Sequence, residues 1–421
     1  MDKFIIQGGI RLKGNVTISG SKNAALPMLA AALLTDQELI LHNVPDLADI
    51  RHQCDLLETL GARVKRAKTG ALHIQVTNDT NSRAEYDYVR KMRASICVLG
   101  PLLARRGRAE VSLPGGCAIG DRPINLHVEG LKSLGARVHL ESGYVIAEAP
   151  QLEGTELFLG GAFGSTVLGT GNIMSAACLA KGKTVIEAAA CEPEIVDLGN
   201  LLNKMGAKIK GHGSPRITIE GVETLYGAEY SVIPDRIEAG TFLIAAAITN
   251  GELTLDNCVT SHLMAAIDRL RQIGVTIETN GKGVTVCSAR RLNPVDVTTQ
   301  PYPGFPTDLQ AQLLALLCLA DGNSIITEKI FPDRFMHIAE LGRMGANLRK
   351  EGPTVIAQGV RELIGAPVMA SDLRASAALV LAGLVAKGET EVLRVYHIDR
   401  GYEQIEKKLN PLGAQIQRTK E

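Results

Sequence analysis

The sequence predicts an α/β fold made of six similar units of roughly 70 residues each, and three observations support this prediction. A short segment in which a glycine precedes a strand-like run recurs six times along the 421 residues. A stretch of almost entirely apolar residues also recurs six times. Most of these apolar stretches end at a glycine and lead into a strand-like segment, as in residues 181–186. Helical and strand-like segments therefore alternate along the chain, which is typical of α/β proteins.

The glycine segments mark one helix of each predicted unit. Each segment follows an amphipathic run, such as the one in which Leu263, Ile267 and Leu270 share a helical face before Gly274. This pattern predicts an amphipathic helix, a glycine C-cap and then a strand. The successive glycines are separated by 74, 71, 68, 71 and 68 residues. The six segments are Leu60–Val64, Leu134–Val138, Met205–Ile209, Ile273–Ile277, Met344–Leu348 and Leu412–Ile416.

The apolar stretches mark a second, buried helix in each unit. A helix that is apolar on nearly every side has no face for solvent and belongs in a core. The stretches are Leu26–Leu34, Ile96–Ala104, Ile173–Ala180, Phe242–Ile248, Leu313–Ala320 and Ala378–Ala386. Six such units exceed one ordinary domain, so two domains of three units each are the simplest arrangement.

Small polar residues and cations collect at the starts of the predicted buried helices. Lys22 and Arg93 stand there although a cation beside the positive end of a helix is unfavourable unless an anion is present. If the repeat makes the buried helices parallel, several positive helix ends favour an anionic ligand at one face of each domain. We interpret four other residues at these starts as helix caps, namely Ser95, Ser165, Thr241 and Ser376.

The bulk composition excludes several classes of protein. Lys plus Arg and Asp plus Glu number 45 each, so no net field draws the chain to nucleic acid or to a membrane surface. With no Trp and only 7 Phe and 8 Tyr, it lacks base-stacking platforms. The first residues do not resemble a signal peptide, no apolar run is long enough to span a bilayer, and the 8 cysteines form no Cys-x-x-Cys pair. We therefore expect a cytoplasmic protein with neither a metal site nor a cofactor.

The loop from Leu113 to Pro123 contains three glycines, one cysteine and one arginine. Its glycines permit backbone conformations that other residues avoid. Cys117 stands between small residues and Arg122 follows five positions later, so the loop is interpreted as a lid that closes over an anion. A surface loop with an incidental cysteine is the alternative. We expect Cys97, Cys178, Cys287 and Cys318, by contrast, to be small buried residues.

A series of ordered motifs gives the chain a resemblance that covers nearly its whole length. With these motifs the chain resembles the enolpyruvyl transferase family. They are Gly20–Ala24, Met92–Ser95, Pro114–Cys117 running into Gly120–Pro123, Glu192–Asp197, Pro234–Glu238, Phe305–Asp308, Arg334–His337, Asp372–Ser376 and Tyr396–Tyr402. The resemblance implies two similar domains, each with three βαβαββ units around buried helices, and an active site between them. It also implies that residues 22–232 form one domain, and that residues 1–21 and 233–421 form the other.

The resemblance implies transfer of the enolpyruvyl group of phosphoenolpyruvate to the 3-hydroxyl of UDP-N-acetylglucosamine, with release of phosphate. It makes Cys117 the general acid and Asp308 the base, with no cofactor. It assigns the donor's anionic groups to Lys22, Arg122 and Arg400. The remaining substrate-binding positions that it implies are Asn23, Arg93, Pro123, Ile124, Asn125, Leu126, Ser165, Thr166, Val167, Ile330, Arg334 and Asp372.

Some assignments stay open at this stage. Asp372 and Arg374 also fit a structural pair at a helix start, and Asp308 also fits a helix N-cap. The segment Gly164–Gly169 departs from the Ser-Val-Gly stretch that many relatives have near the nucleotide. His127 and His397 are interpreted as structural histidines. The alternative functions are 5-enolpyruvylshikimate-3-phosphate synthase, a thiol hydrolase using Cys117 and His127, and a repeat scaffold.

Overall fold

The computed structural model describes residues 2–114, 124–279, 283–288 and 291–420. Its internal contacts divide these residues into two units. The N-terminal unit comprises residues 20–114 and 124–233, and the C-terminal unit comprises residues 2–19 and 234–420. Within the described ranges, no helix combines the length and the apolar character needed to cross a membrane. Cys117, Arg122 and Pro123, for which the sequence predicts functional roles, lie outside the described residues.

The described helices alternate between buried and amphipathic along the chain. Short 3-10 helices flank several of them, at Ala32–Leu34, Arg93–Val98, Thr260–Leu263, Thr307–Leu309, Val395–Arg400 and Asn410–Leu412. The α-helices are α1 (Lys22–Ala31), α2 (Ala48–Thr59), α3 (Tyr86–Val89), α4 (Leu99–Arg106), α5 (Asn125–Ser133), α6 (Val167–Ala177), α7 (Pro193–Lys204), α8 (Arg236–Ile248), α9 (Met264–Ile273), α10 (Gln310–Leu317), α11 (His337–Arg343), α12 (Leu373–Val385) and α13 (Ile405–Leu409).

The strands are short, and most have five residues or fewer. They are β1 (Asp2–Gln7), β2 (Lys13–Thr17), β3 (Leu39–His42), β4 (Ala62–Arg66), β5 (Leu72–Val76), β6 (Arg83–Ala84), β7 (Arg108–Ser112), β8 (Arg137–Glu141), β9 (Tyr144–Glu148), β10 (Glu156–Phe158), β11 (Gly160–Gly161), β12 (Gly164–Ser165), β13 (Lys183–Glu187), β14 (Lys208–Lys210), β15 (Arg216–Glu220), β16 (Ala228–Ser231), β17 (Glu252–Asp256), β18 (Thr276–Thr279), β19 (Gly283–Cys287), β20 (Val297–Thr298), β21 (Asn323–Thr327), β22 (Asn347–Glu351), β23 (Thr354–Gln358), β24 (Pro367–Met369), β25 (Glu389–Leu393) and β26 (Gln415–Lys420).

The six predicted units appear as six four-stranded sheets among the described residues, all with the same pairing pattern. In each sheet the first two strands are parallel, and the third and fourth each join antiparallel to their neighbour. The strand orders are β16-β3-β5-β4, β6-β7-β9-β8 and β10-β13-β15-β14 in the N-terminal unit, and β2-β17-β19-β18, β20-β21-β23-β22 and β24-β25-β1-β26 in the C-terminal unit. The predicted α/β class and the sixfold repeat are therefore confirmed.

The glycine segments connect an amphipathic helix to a strand in all six repeats, as the sequence predicts. Their glycines, at positions 61, 135, 206, 274, 345 and 413, have φ values from 89° to 106°. This is the left-handed region that glycine adopts without steric cost. Gly61 has a second reason to be glycine besides its positive φ. A Cβ atom at this position would lie 1.7 Å from the carbonyl oxygen of Asn78.

The other helix of each repeat is buried, which confirms the second prediction. Nearly every residue of α1, α6, α8, α10 and α12 is buried, and these helices lie in two hydrophobic cores, one in each unit. In the remaining repeat the buried residues 95–103 span the end of the 3-10 helix Arg93–Val98 and the first five residues of α4. Cys97, Cys178 and Cys318 are part of these cores, and burial raises the pKa of each thiol to about 12. Cys287 is only partly buried, so the expectation for that residue was wrong.

The predicted helix caps were also wrong, because an apolar stretch reports where a helix is buried and not where it begins. The caps with side-chain hydrogen bonds stand at Ser21, Thr166, Asp235 and Asp372 instead. Ser95, Thr241 and Ser376 lie within helices, and Ser165 lies in β12. Thr241, for example, donates to the carbonyl oxygen of Ile237 within α8 at 2.8 Å.

Candidate active site

Lys22 is the first residue of α1 and lies in the interior of the N-terminal unit. Its side chain is 9% exposed, and its Nζ donates to Oδ2 of Asp49 at 3.2 Å. Asp49 belongs to the first turn of α2, and its side chain is 2% exposed. The anion that the sequence requires beside Lys22 is therefore supplied at least in part by the protein. A buried charge pair of this kind fixes the lysine in place at the start of the helix, next to Asn23.

A buried hydrogen-bond network links three segments of the N-terminal unit around His127. Asn172 of α6 accepts from the backbone N–H of Gly100 at 2.6 Å and donates to the carbonyl oxygen of Ile96 at 2.9 Å. These two bonds fix the orientation of its amide, so its Nδ2 must donate to Nδ1 of His127, 3.0 Å away. The ring is thereby held in the neutral form that carries its proton on Nε2.

Burial and the nearby charge of Arg93 lower the pKa of His127 to about 4. A neutral, buried and hydrogen-bonded ring agrees with the structural role predicted for this histidine. Arg93 itself begins the 3-10 helix Arg93–Val98 and is partly buried. His127 therefore supports the segment on which Arg93 stands.

Six of the predicted substrate-binding residues of the N-terminal unit lie at the starts of α5 and α6. Ile124 is the N-cap residue of α5, Asn125 is its exposed first residue, and Leu126 is partly buried beside Gly161. Ser165, Thr166 and Val167 form the junction between a short two-stranded ribbon and α6. Thr166 caps this helix by accepting from the N–H of Gly169 at 3.2 Å, so its hydroxyl has a structural partner.

Asp308 lies between two buried guanidinium groups of the C-terminal unit. Its Oδ1 accepts from Nη1 of Arg334 at 2.7 Å, and its Oδ2 accepts from Nη2 of Arg374 at 3.0 Å. The Arg334 and Arg374 side chains are 7% and 1% exposed, whereas that of Asp308 is 26% exposed. Asp308 lies within a 3-10 turn that precedes α10, and the N-cap positions of the turn and of α10 are Pro306 and Leu309. The alternative of a helix-capping role is therefore not supported.

A second carboxylate, Glu328, fixes the backbone around this cluster. It is fully buried and accepts from the hydroxyls of Thr299 at 2.7 Å and Thr307 at 2.9 Å. It also accepts from the backbone N–H of Ile330 at 2.8 Å. Because Thr307 in turn accepts from Arg334 at 3.1 Å, Ile330 and the Asp308 turn are joined through one network. The sequence interpretation did not include Glu328.

Arg374 has more hydrogen-bond donors than partners. Its Nε and Nη1 are buried and have no hydrogen-bond partner among the described residues, and its guanidinium carbon lies 5.5 Å from the centre of the Tyr402 ring. Burial is the largest single influence and would lower the pKa of Arg374, but the negative groups of Asp308, Tyr402 and Asp235 together outweigh it and raise the pKa. An unsatisfied buried donor is costly, and a native structure retains one for a reason such as a catalytic role or a bound water or ion.

Asp372 has a structural role at the start of α12. Its Oδ1 accepts from the backbone N–H groups of Arg374 at 2.8 Å and Ala375 at 3.1 Å, which is N-cap geometry. The carboxylate also contributes to the raised pKa of Arg334, where the effect of Asp308 is larger and both oppose the effect of burial. The side chain of Arg374 pairs with Asp308, so the predicted pair of Asp372 and Arg374 is not formed through their side chains.

Arg400 ends the 3-10 turn Val395–Arg400 in the C-terminal unit and is partly buried. The turn approaches the start of α12 closely, since a Cβ atom at Gly401 would lie 2.4 Å from Cδ1 of Leu373. His397 in the same turn is half-buried, and burial followed by the charge of Arg400 lowers its pKa. The turn therefore places Arg400 near the helix start that carries Arg374.

Comparison with known proteins agrees with this architecture. The family model of EPSP synthase (3-phosphoshikimate 1-carboxyvinyltransferase) matches residues 6–409. The chain is 55% identical over 418 residues to the UDP-N-acetylglucosamine 1-carboxyvinyltransferase of Methylacidiphilum infernorum, with 99% of each chain covered. It is 55% identical over 422 residues to the protein of the same name from Lawsonia intracellularis, with 100% of both chains covered.

Solved structures share the fold at lower identity. The enolpyruvyl transferase NikO from Streptomyces tendae superposes with a TM-score of 0.90 at 23% identity and 99% coverage of both chains. EPSP synthase from Acinetobacter baumannii gives a TM-score of 0.77 at 18% identity and full coverage. The fold is thus that of the enolpyruvyl transferases. The chain belongs to this family of carboxyvinyltransferases, whose model matches it almost from end to end.

Proposed function

We propose that this chain transfers the enolpyruvyl group of phosphoenolpyruvate to the 3-hydroxyl of UDP-N-acetylglucosamine and releases phosphate. The observation that carries the proposal is identity over the full length: more than half of the residues are shared with proteins named for this activity. We further propose that it acts in the cytoplasm, at the first committed step of peptidoglycan precursor synthesis.

Asp308 is the proposed base for the acceptor hydroxyl. The addition step forms a bond between the acceptor oxygen and C2 of the donor, while C3 gains a proton and the hydroxyl loses one. Oδ1 of Asp308 accepts a hydrogen bond from Arg334 and Oδ2 accepts one from Arg374, and each carboxylate oxygen can accept more than one hydrogen bond. The two guanidinium groups fix the direction of the carboxylate, and a defined position is the first requirement of a general base.

Cys117 is the proposed acid that delivers the proton to C3 of the donor. An unperturbed thiol has a pKa near ~8.5, so it is mostly protonated at neutral pH and can return as the thiolate. In the elimination step the C3 proton is removed again and the C2–O bond to phosphate breaks. Cys117 lies outside the described residues, so its role rests on the family resemblance alone.

Cations neutralise the carboxylate and the phosphate of the donor in this proposal. Lys22, Arg122 and Arg400 are assigned to these groups, and the unpaired donors of Arg374 add a further fixed guanidinium. Arginine suits this task because its planar fork matches carboxylate and phosphate oxygens. The acceptor is assigned to Asn23, Arg93, Pro123, Ile124, Asn125, Leu126, Ser165, Thr166, Val167, Ile330, Arg334 and Asp372.

The test is phosphate release with two acceptors in parallel. The protein is incubated with phosphoenolpyruvate and either UDP-N-acetylglucosamine or 3-phosphoshikimate, and the product is identified by mass. We expect turnover only with the sugar nucleotide. Turnover with 3-phosphoshikimate alone would instead assign the activity named by the family model. Peptide or ester hydrolysis without phosphoenolpyruvate would favour a thiol hydrolase.

We also propose that residues 22–232 form one functional domain, and that residues 1–21 and 233–421 form the other. Expression of residues 22–232 alone gives the test. We expect a cooperative unfolding transition from a segment that has its own hydrophobic core. A non-cooperative transition would contradict the division.

A further inference from the structure

Arg418 holds three carboxylates near the turn that carries Arg400. It lies on β26, directly opposite Phe4 of β1, and its guanidinium carbon is 4.9 Å from the centre of the Phe4 ring. Its side chain is 24% exposed. The carboxylates belong to Asp399, Glu406 and Asp2, so residues from the chain's first strand, the turn and α13 meet at one guanidinium.

The contact with Asp399 is bidentate. Nη1 of Arg418 donates to Oδ2 of Asp399 at 2.9 Å, and Nη2 donates to Oδ1 at 2.6 Å. Glu406 accepts from Nε at 2.9 Å and from Nη2 at 3.3 Å. Paired charge-assisted bonds of this kind fix direction as well as distance, and an ammonium group cannot reproduce them.

Asp399 immediately precedes Arg400 in the chain. The peptide between them is therefore held on one side by Arg418, while the close approach of Gly401 to Leu373 holds the other side against α12. This double restraint sets the direction in which Arg400 leaves the backbone. Without Arg418, the carboxylates of Asp2, Asp399 and Glu406 would lose the cation that they share and would repel one another.

We propose that Arg418 is a positioning residue, which orients Arg400 towards the anionic donor by clamping Asp399 and thereby the turn Val395–Arg400. The proposal rests on the proposed function, because the role of Arg400 in binding phosphoenolpyruvate is part of that function. It adds a residue far along the C-terminal strand that touches no substrate. Its effect should therefore appear in donor binding and not in acceptor binding.

The experiment compares Arg418→Ala, Arg418→Lys, Asp399→Asn and the double variant R418A/D399N with the wild-type protein. Arg349→Ala is the matched control, since Arg349 lies on the equivalent strand β22 and pairs with Glu351 at 2.7 Å on the surface. We expect about a tenfold rise in the KM for phosphoenolpyruvate in all three single variants, on the order of the loss of one bidentate pair. The double variant should be no worse than the single ones. The Kd for UDP-N-acetylglucosamine, measured by calorimetry without donor, should stay unchanged.

Hydrogen exchange of the peptide covering residues 395–402 supplies a readout that needs no turnover. We expect faster exchange there in the Arg418 and Asp399 variants and unchanged exchange in Arg349→Ala. Unchanged exchange in this peptide, full recovery of the donor KM by Arg418→Lys, or an equal loss of affinity for both substrates would each overturn the positioning role. Absence of turnover in the wild-type protein would refute the proposed function. The exchange data would still test whether Arg418 restrains the turn Val395–Arg400.

Discussion

Replacement of Arg374 by Met separates the contribution of a residue to stability from its contribution to activity. The buried Arg374 guanidinium carries a desolvation cost of several kcal/mol, and among the described residues only its Nη2 has a hydrogen-bond partner. Asp308 keeps its 2.7 Å bond to Arg334 when Arg374 is removed. A methionine fills much of the same space without a charge. The desolvation cost that the substitution removes and the bond to Asp308 that it loses nearly cancel. We therefore expect the free energy of unfolding to change by no more than about 1 kcal/mol.

The activity of the same variant should fall steeply. Loss of one fixed donor aimed at a charged substrate costs about 100-fold in kcat/KM in comparable sites. Steady-state kinetics and urea denaturation measure the two quantities. Arg334→Met is the control and should lose about 1–3 kcal/mol of stability, because Thr307 and Asp308 both lose a donor. The reasoning fails if Arg374→Met loses more than about 3 kcal/mol of stability, or if its kcat/KM stays within threefold of the wild-type value.

Three further predictions concern the N-terminal unit and the Cys117 loop. Asp49→Ala should lower the free energy of unfolding by about 3 kcal/mol, because it leaves the Lys22 ammonium buried without this partner. Asp49→Asn should lose less stability. If urea denaturation shows the Ala variant to be as stable as the wild-type protein, the ion pair between Lys22 and Asp49 does not stabilise the fold. His127 has a pKa of about 4 in the folded state, below the value of ~6.5 in the unfolded state, so the unfolded state takes up the proton first as the pH falls. The contribution of the neutral ring to stability is therefore complete above pH ~6.5 and decreases as the pH falls towards 4. The total decrease in the free energy of unfolding is about 3 kcal/mol. Urea titrations at several pH values should show this decrease in the free energy of unfolding in the wild-type protein and a smaller decrease in His127→Gln. Cys117→Ser should lose most turnover with an unchanged melting temperature, and a near-normal rate would remove the thiol from catalysis.

The repeated features were predictable because they are local. The segments around Gly61 and Gly274 combine an amphipathic run, a residue with positive φ and a strand within about fifteen residues, and each of these has a sequence signature. The helix starts were not predictable in the same way. Asp235 begins α8 seven residues before the apolar stretch at Phe242, because the first turns of that helix carry polar residues.

The partners of the site residues were not predictable, because they are distant in sequence. Asp49 lies 27 residues from Lys22, and Arg374 lies 66 residues from Asp308. The pairing depends on how the repeats pack, and no spacing rule within one helix or strand encodes it. The family motifs indicated Asp308 and Arg334, whereas the unsatisfied donors of Arg374 could be identified only from the three-dimensional arrangement.

The sheet β24-β25-β1-β26 has a consequence for synthesis on the ribosome. Its third strand, β1, is translated long before both of its neighbours, β25 and β26. Residues 2–7 must therefore wait, unpaired, while roughly 380 further residues are added. During that interval a short strand with three apolar residues, Phe4, Ile5 and Ile6, is available to chaperones or to wrong partners. The C-terminal unit is consequently completed only after the whole N-terminal unit has been translated, whereas the N-terminal unit has all of its described strands once residue 231 has emerged.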